Sequence, residues 1–264
     1  MSWHTMLGTD PFAGAPGDTS PQRGESTQRA PAADLRPSGA RTALLALFAL
    51  ALVVTLAVAV TAVQHRRSAA RHPVTAAVLA LARTELSGLA TTTTPPAHPY
   101  DRDAFGQAWS DVDHNGCDTR NDILARDLTA TTVKPATDGC VIASGVLADP
   151  YTGRTISFVR GEHSADVQID HVVALANAWA SGASTWTSAR RLAYANDPRN
   201  LLAVDGPANQ DKSASDASQW LPPSTGYRCV YVVKQIDVKS TYGLSVTPAE
   251  SHAMAKALDG CVVA

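Results

Sequence analysis

The chain has 264 residues, 45 % of them hydrophobic and 17 % charged, with a net charge of −2. That composition excludes a wholly disordered chain and a coiled-coil rod. The near-neutral charge excludes a protein that coats nucleic acid through a global basic field. Charge is segregated. Residues 1–96 hold eight arginines and five acids, whereas residues 97–264 hold 14 basic and 19 acidic residues, a net of −5. Any nucleic-acid partner is therefore held by a local site or a metal ion.

Residues 1–41 are rich in Pro, Gly, Ser and Thr and lack apolar periodicity, which predicts a disordered tail. Residues 42–63 then run for 22 positions without a charge. As a helix they span roughly 33 Å, enough to cross a bilayer core of about 30 Å. The segment reads as a transmembrane helix. It is either an uncleaved signal anchor or the core of a signal peptide cut near Ala59–Ala62, and the long polar leader favours the anchor. Four arginines precede it (Arg23, Arg29, Arg36, Arg41) and four follow it (Arg66, Arg67, Arg71, Arg83), so arginine counts leave the orientation open. All four cysteines (Cys117, Cys140, Cys229, Cys261) lie after the span. An even number on one side points to two disulfides in an oxidising space, and so to a C-terminal region outside the cytoplasm, membrane-anchored or secreted. Three pairings are open, and the sequence-local one, Cys117–Cys140 with Cys229–Cys261, is favoured. The absence of a C-x-x-C pair argues against a zinc knuckle.

Residues 64–99 comprise a helix over 73–90, with Pro73 in its first turn, and a Pro/Thr linker over 91–99. From residue 100 to 264 the pattern is that of one mixed domain. A short helix is expected over 103–111 and another over 117–128, capped by Asp118 or Thr119. Short strands follow within 134–158, punctuated by the DPYTG turn. Next come a strand over 167–173, a helix over 174–182 and a strand over 200–204. A helix opens at Pro207 and is closed by Pro222–Pro223. Helices cover 227–243 and 247–261, the latter with Thr247 as cap, Pro248 at its first position and Glu250 completing a capping box.

Three ordered stretches carry the chemistry: IDHVVAL with Asp170 and His171, NLLAV opening at Asn200, and NQDK with Asn209 and Lys212. A strand ends at Asp-His, a second strand begins at Asn, and a helix then presents Asn209 and Lys212. This set resembles the ββα-metal (HNH, or His-Me finger) core of HNH endonucleases. It is closer still to secreted actinobacterial HNH-family proteins related to the C-terminal domain of GmrSD-type restriction enzymes. The stretches DRDAFGQAWSDVDHNGCDTRNDIL, DPYTG, ARRLAYANDPRNLLAV, NQDKSASDASQWLPP and VKSTYGLSVTPAE extend the likeness from about Tyr100 to Cys261. The resemblance implies an α+β fold with a ββα-metal core, added helices and short strands. It implies a metal-dependent endonuclease acting on nucleic acid, DNA before RNA, with one divalent ion, Mg²⁺ or else Mn²⁺.

In that pattern His171 is the general base, a role an imidazole with a pKa near ~6.5 suits. Asp170 and Asn209 supply the oxygen ligands that a hard cation takes, and Asn200 holds the histidine ring. Lys212 and Arg120 would meet phosphate. The third position is Asn instead of the His that names the motif. No base-reading element is present, so sequence preference should be weak. Neighbours on one strand point to opposite faces, so Asp170 and His171 reach a common site only from a strand end or a kink.

Two other readings stand beside this one. A non-catalytic extracellular binding module could keep the same scaffold. DVDHNGCD (111–118) imitates the start of an EF-hand loop, which makes calcium binding a rival to a simple Asx-rich turn. Arg190 and Arg191 could meet nucleic-acid backbone or form a solvated helix face. His114, His163 and His252 read as surface, and Trp109, Trp179, Trp186 and Trp220 as core.

Overall fold

The computed structural model describes residues 39–69 and 72–263. The tail expected over 1–41 lies, up to residue 38, outside the described residues. The chain divides into two units, Met1–Ala51 and Leu52–Ala264. The long helix α1 (Gly39–Ala69) runs through that division and is taken by itself. Within its stretch Ala40–Gln64 an 18-residue window reaches a mean hydropathy of 2.9, and the leucines and valines are uncovered. At 1.5 Å per residue the stretch is about 37 Å long, enough to cross a membrane core.

In the remainder, helix α2 (Ala76–Gly88) starts at Thr75, whose hydroxyl accepts the Val78 N–H; Pro73 lies ahead of the helix, not within its first turn. The helix expected over 103–111 is only a 3₁₀ turn, Asp103–Phe105. Gly106, at φ 84°, ends it while Phe105 is buried. Helix α3 (Thr119–Asp127) is capped by Asp118, whose carboxylate accepts from Asn121 N. Three antiparallel strands follow: β1 (Leu128–Val133), which has no alternating pattern in sequence, then β2 (Ile142–Ala148) and β3 (Thr155–Val159).

The second sheet positions the candidate site. Strand β4 (Val167–His171) pairs antiparallel with β5 (Leu201–Asp205), in register from Val167 opposite Asp205 to His171 opposite Leu201. Between them lie helices α4 (Leu175–Ala180) and α5 (Ser188–Ala195). Helix α6 (Gly206–Lys212) follows β5 without a loop, capped by Asp205. Gly206 is required there, because a Cβ would collide with the carbonyl oxygen of Ala165. Helix α6 stops at Ser213, whose φ of 50° cannot continue a helix, well short of the Pro222–Pro223 pair that the sequence suggests as its end. Helices α7 (Arg228–Tyr242) and α8 (Pro248–Asp259) close the domain, and α7 buries Tyr231, Val232 and Ile236 against Tyr151, Val172, Leu202 and Met254. Disulfides join Cys117 to Cys140 and Cys229 to Cys261, the sequence-local pairs.

Thr247 caps α8 as its sequence suggests, accepting the Glu250 N–H. The Glu250 carboxylate does not complete a capping box. It pairs with Lys239 Nζ at 2.8 Å, with both side chains all but excluded from solvent. Lys239 also donates to the Ser245 carbonyl. Breaking such a pair leaves one charge buried and unmatched, whereas replacing both by apolar groups removes the desolvation cost. Lys239→Ala should therefore lower stability by about 3–5 kcal/mol. The double variant Lys239→Met/Glu250→Leu should recover most of that loss. Urea unfolding of both decides it, and a single variant as stable as the parent contradicts the assignment.

Candidate functional site

Alternation along β4 sends Gln168 and Asp170 to one side, where α6 presents Asn209 and Lys212 one helical turn apart. Two polar rungs result. Asn209 Nδ2 donates to Gln168 Oε1 at 2.9 Å, and Lys212 Nζ donates to Asp170 Oδ1 at 2.9 Å. The second Asp170 oxygen accepts from the Tyr151 hydroxyl. Tyr151 is aimed there by the DPYTG turn, in which buried Asp149 accepts from the backbone N–H groups of Tyr151, Thr152 and Asp205. Burial pushes the Asp170 carboxyl above its ordinary pKa, and the Lys212 ammonium and the Tyr151 hydrogen bond oppose that shift.

His171, the next residue, goes the other way. Its Nε2 lies 2.8 Å from the Ala195 carbonyl, and its ring stacks on Trp109 with centroids 6.1 Å apart and planes 14° apart. A carbonyl only accepts, so Nε2 carries the proton and Nδ1 keeps the lone pair. The strand neighbours thus keep opposite directions, yet both line one cleft of about 310 Å³ together with Asn209. His171 also borders a second cavity of about 300 Å³, walled by Phe105, Trp109 and Leu175. Trp109 packs against the core around Ile123 and Leu124, as its sequence reading expects, and also lines this site. It is held at φ 59°, a costly conformation for a bulky residue.

Several expected roles are placed differently. Asn200 is fully buried and clamps the backbone of Val173, accepting its N–H and donating to its carbonyl. It fixes the chain that follows His171, while Ala195 and Trp109 hold the ring. Lys212 is fully buried, with its ammonium on Asp170 and on the His171 carbonyl, so it faces no substrate. Arg120 donates to the carbonyls of Ser164 and Val167 and pins the entry to β4. Arg190 lies over Trp186 and donates to the Tyr242 carbonyl; Arg191 donates to the carbonyls of Ala104, Ala183 and Trp186. Neither forms a free basic face. In the calcium-like loop, Asp111 and Asp113 accept from the backbone of Asn115 and Gly116, and Asp118 is the α3 cap. The loop is an Asx-rich turn that leads from Trp109 into α3.

A residue not singled out in sequence, Arg102, lines both cavities beside His171. Its signal was its place in the stretch DRDAF. Trp109 and Tyr151 were equally hidden. A divalent ion would find hard oxygen donors in Asp170 and Asn209, whose amide oxygen makes no hydrogen bond among the described residues. No three His, Cys, Asp or Glu side chains converge among the described residues. Such an ion would therefore take few protein ligands and complete its shell with water and phosphate, as Mg²⁺ does. Each Asp170 oxygen keeps a second lone pair beyond its hydrogen bond, and ligating carboxylates are ordinarily hydrogen-bonded in this way. The donor set fits.

Residues 118–257 match the family described as GmrSD restriction endonucleases, C-terminal domain. The chain is 41 % identical over 183 residues to a protein of Arthroderma benhamiae named only as an uncharacterized secreted protein, covering 68 % of this chain and 84 % of that one. No solved structure matches it significantly.

The environment of His171 pushes its pKa down to about 4, by burial first and by the charges of Lys212 and Arg102, against the Ala195 carbonyl that favours the protonated ring. In the unfolded chain the value is about 6.5. Between those values the unfolded state binds more protons than the folded one. This contribution is therefore complete above about pH 6.5 and is lost as pH falls toward 4, at up to about 1.4 kcal/mol per pH unit. An NMR titration of the His171 ring, assigned with His171→Gln, should place its midpoint far below the ordinary value. A midpoint near 6.5 contradicts the half-buried, neutral ring.

Proposed function

The chain belongs to the family of GmrSD restriction endonuclease C-terminal domains, and from that membership we propose that it is a metal-dependent endonuclease. It hydrolyses phosphodiester bonds of nucleic acid, DNA in the first instance, outside the cytoplasm and with weak sequence preference. The observation that carries the reading is the state of His171. It is a neutral imidazole with its Nε2–H tied to a backbone carbonyl and its ring on the wall of a cleft shared with Asp170 and Asn209. The strand–strand–helix succession of β4, β5 and α6 supports an HNH-type core.

In this reading Nδ1 of His171 takes a proton from the water that attacks phosphorus. The Ala195 carbonyl stabilises the imidazolium through Nε2–H, and the stacked Trp109 ring restricts rotation. Asp170 and Asn209 would hold a divalent ion, Mg²⁺ or Mn²⁺, which when bound would relieve charge on the phosphate and on the leaving oxygen. Asn200 and Lys212 act as positioning residues through the backbone of Val173 and of His171 itself. Two disulfides, an apolar helix fit to be a signal anchor and a relative named as secreted support action outside the cytoplasm.

The full chain in detergent should nick supercoiled plasmid with Mg²⁺ or Mn²⁺ and lose that activity in EDTA. His171→Ala should slow nicking by roughly 10²–10⁴. Undiminished nicking by that variant overturns the assignment of the base.

A further inference from the structure

We propose that Arg102 is the residue that grips the substrate phosphate beside His171, a role that rests on the nuclease reading. The two cations that the sequence offers for this task, Arg120 and Lys212, both serve internal acceptors. The region 97–264 has a net charge of −5, so a phosphate needs a local cation to enter. That region contains nine arginines, and eight of them donate from the guanidinium to an acceptor inside the chain. Arg102 is the exception: its side chain is exposed and has no hydrogen bond or ion pair among the described residues.

Its position is fixed all the same. The Arg102 carbonyl accepts the Phe105 N–H at the start of the 3₁₀ turn, and buried Phe105 packs between the rings of Trp179 and Tyr194. Neither neighbouring acid pairs with the guanidinium among the described residues: Asp101 accepts the backbone N–H of Asp103, and Asp103 lines the cavity walled by Phe105 and Trp109. Arg102, His171 and Leu175 are the residues common to the walls of both cavities. A phosphodiester lying between Arg102 and the imidazole would have a nucleoside-sized space on each side. One space is bordered by Phe105 and Trp109, the other by Asp170 and Asn209. A guanidinium offers two parallel N–H donors to phosphate oxygens, which an ammonium does not.

The test measures binding of a short fluorescein-labelled DNA duplex to the full chain in detergent. A His171→Ala background keeps the probe uncut, and nicking is followed in parallel on the parent background. Arg102→Ala should weaken binding at least tenfold and lower the slope of log affinity against log salt by about 1, with an unchanged melting temperature. Arg102→Lys should keep the slope and lose part of the affinity. Lys134→Ala, an exposed lysine between β1 and β2 that lines neither cavity, should alter neither quantity. If Arg102→Ala matches the parent or Lys134→Ala, the proposal is overturned while the nuclease reading stands. If the parent binds DNA without nicking it, the nuclease reading fails and the Arg102 comparison still decides the phosphate contact. A parent that neither binds nor nicks overturns both.

Discussion

Lys212 and Asp170 are both withdrawn from water, and neither could remain so alone. A buried ammonium or carboxylate costs several kcal/mol unless an opposite charge and hydrogen bonds meet it. Here the two lie 2.9 Å apart, with Tyr151 on the second carboxylate oxygen. The pair joins β4 to α6, and the second bond of Lys212, to the His171 carbonyl, fixes the end of the strand. Removing the ammonium would leave the buried Asp170 charge with only the Tyr151 hydroxyl to meet it, and would free the backbone that carries His171. The placement of the cleft residues therefore depends on this contact, although the ammonium itself is not offered to the cleft.

The alternation rule explains why that arrangement serves two functions. Because successive residues point oppositely, β4 gives Asp170 to the α6 side and His171 to the side of Trp109 and Ala195. The strand ends at His171, so the ring escapes the sheet and borders the same cleft as its neighbour. This much was legible in the sequence, where Asp-His at the close of an apolar run already called for a strand end or a kink. The caps at Asp118 and Thr247 were legible too, because a short polar side chain ahead of an amphipathic run has one good use. Strand β1 was not, since Leu128–Val133 is mostly exposed threonine and alanine and shows no apolar alternation. The stop of α6 was not, because Ser213 adopts a backbone conformation that its residue type does not advertise.

Cations were the least legible part of the site. An arginine has the same letter whether its donors face solvent or backbone carbonyls, and which applies depends on acceptors far along the chain. Arg120 satisfies carbonyls 44 and 47 residues away, at Ser164 and Val167, and Arg126 reaches Pro198 and Leu201. These carbonyls lie at turns and strand ends, and guanidinium groups supply donors to them. The acidic loop at 111–118 illustrates the converse. Its carboxylates resemble a cation site by spacing, but among the described residues no three acidic side chains converge there, and the backbone N–H groups of their own turn engage them.

The charge balance then constrains how a polyanion could approach. A region with a net charge of −5 repels phosphate at long range, and that repulsion is screened beyond about 8–10 Å at physiological ionic strength. On the proposed reading, attraction would arise inside that distance, at the cleft itself, from an exposed guanidinium and a divalent ion. Contacts so few and so local engage the backbone at one or two phosphates and read no base edges. On the proposed reading, weak sequence preference is therefore a consequence of the charge distribution as well as of the missing recognition element.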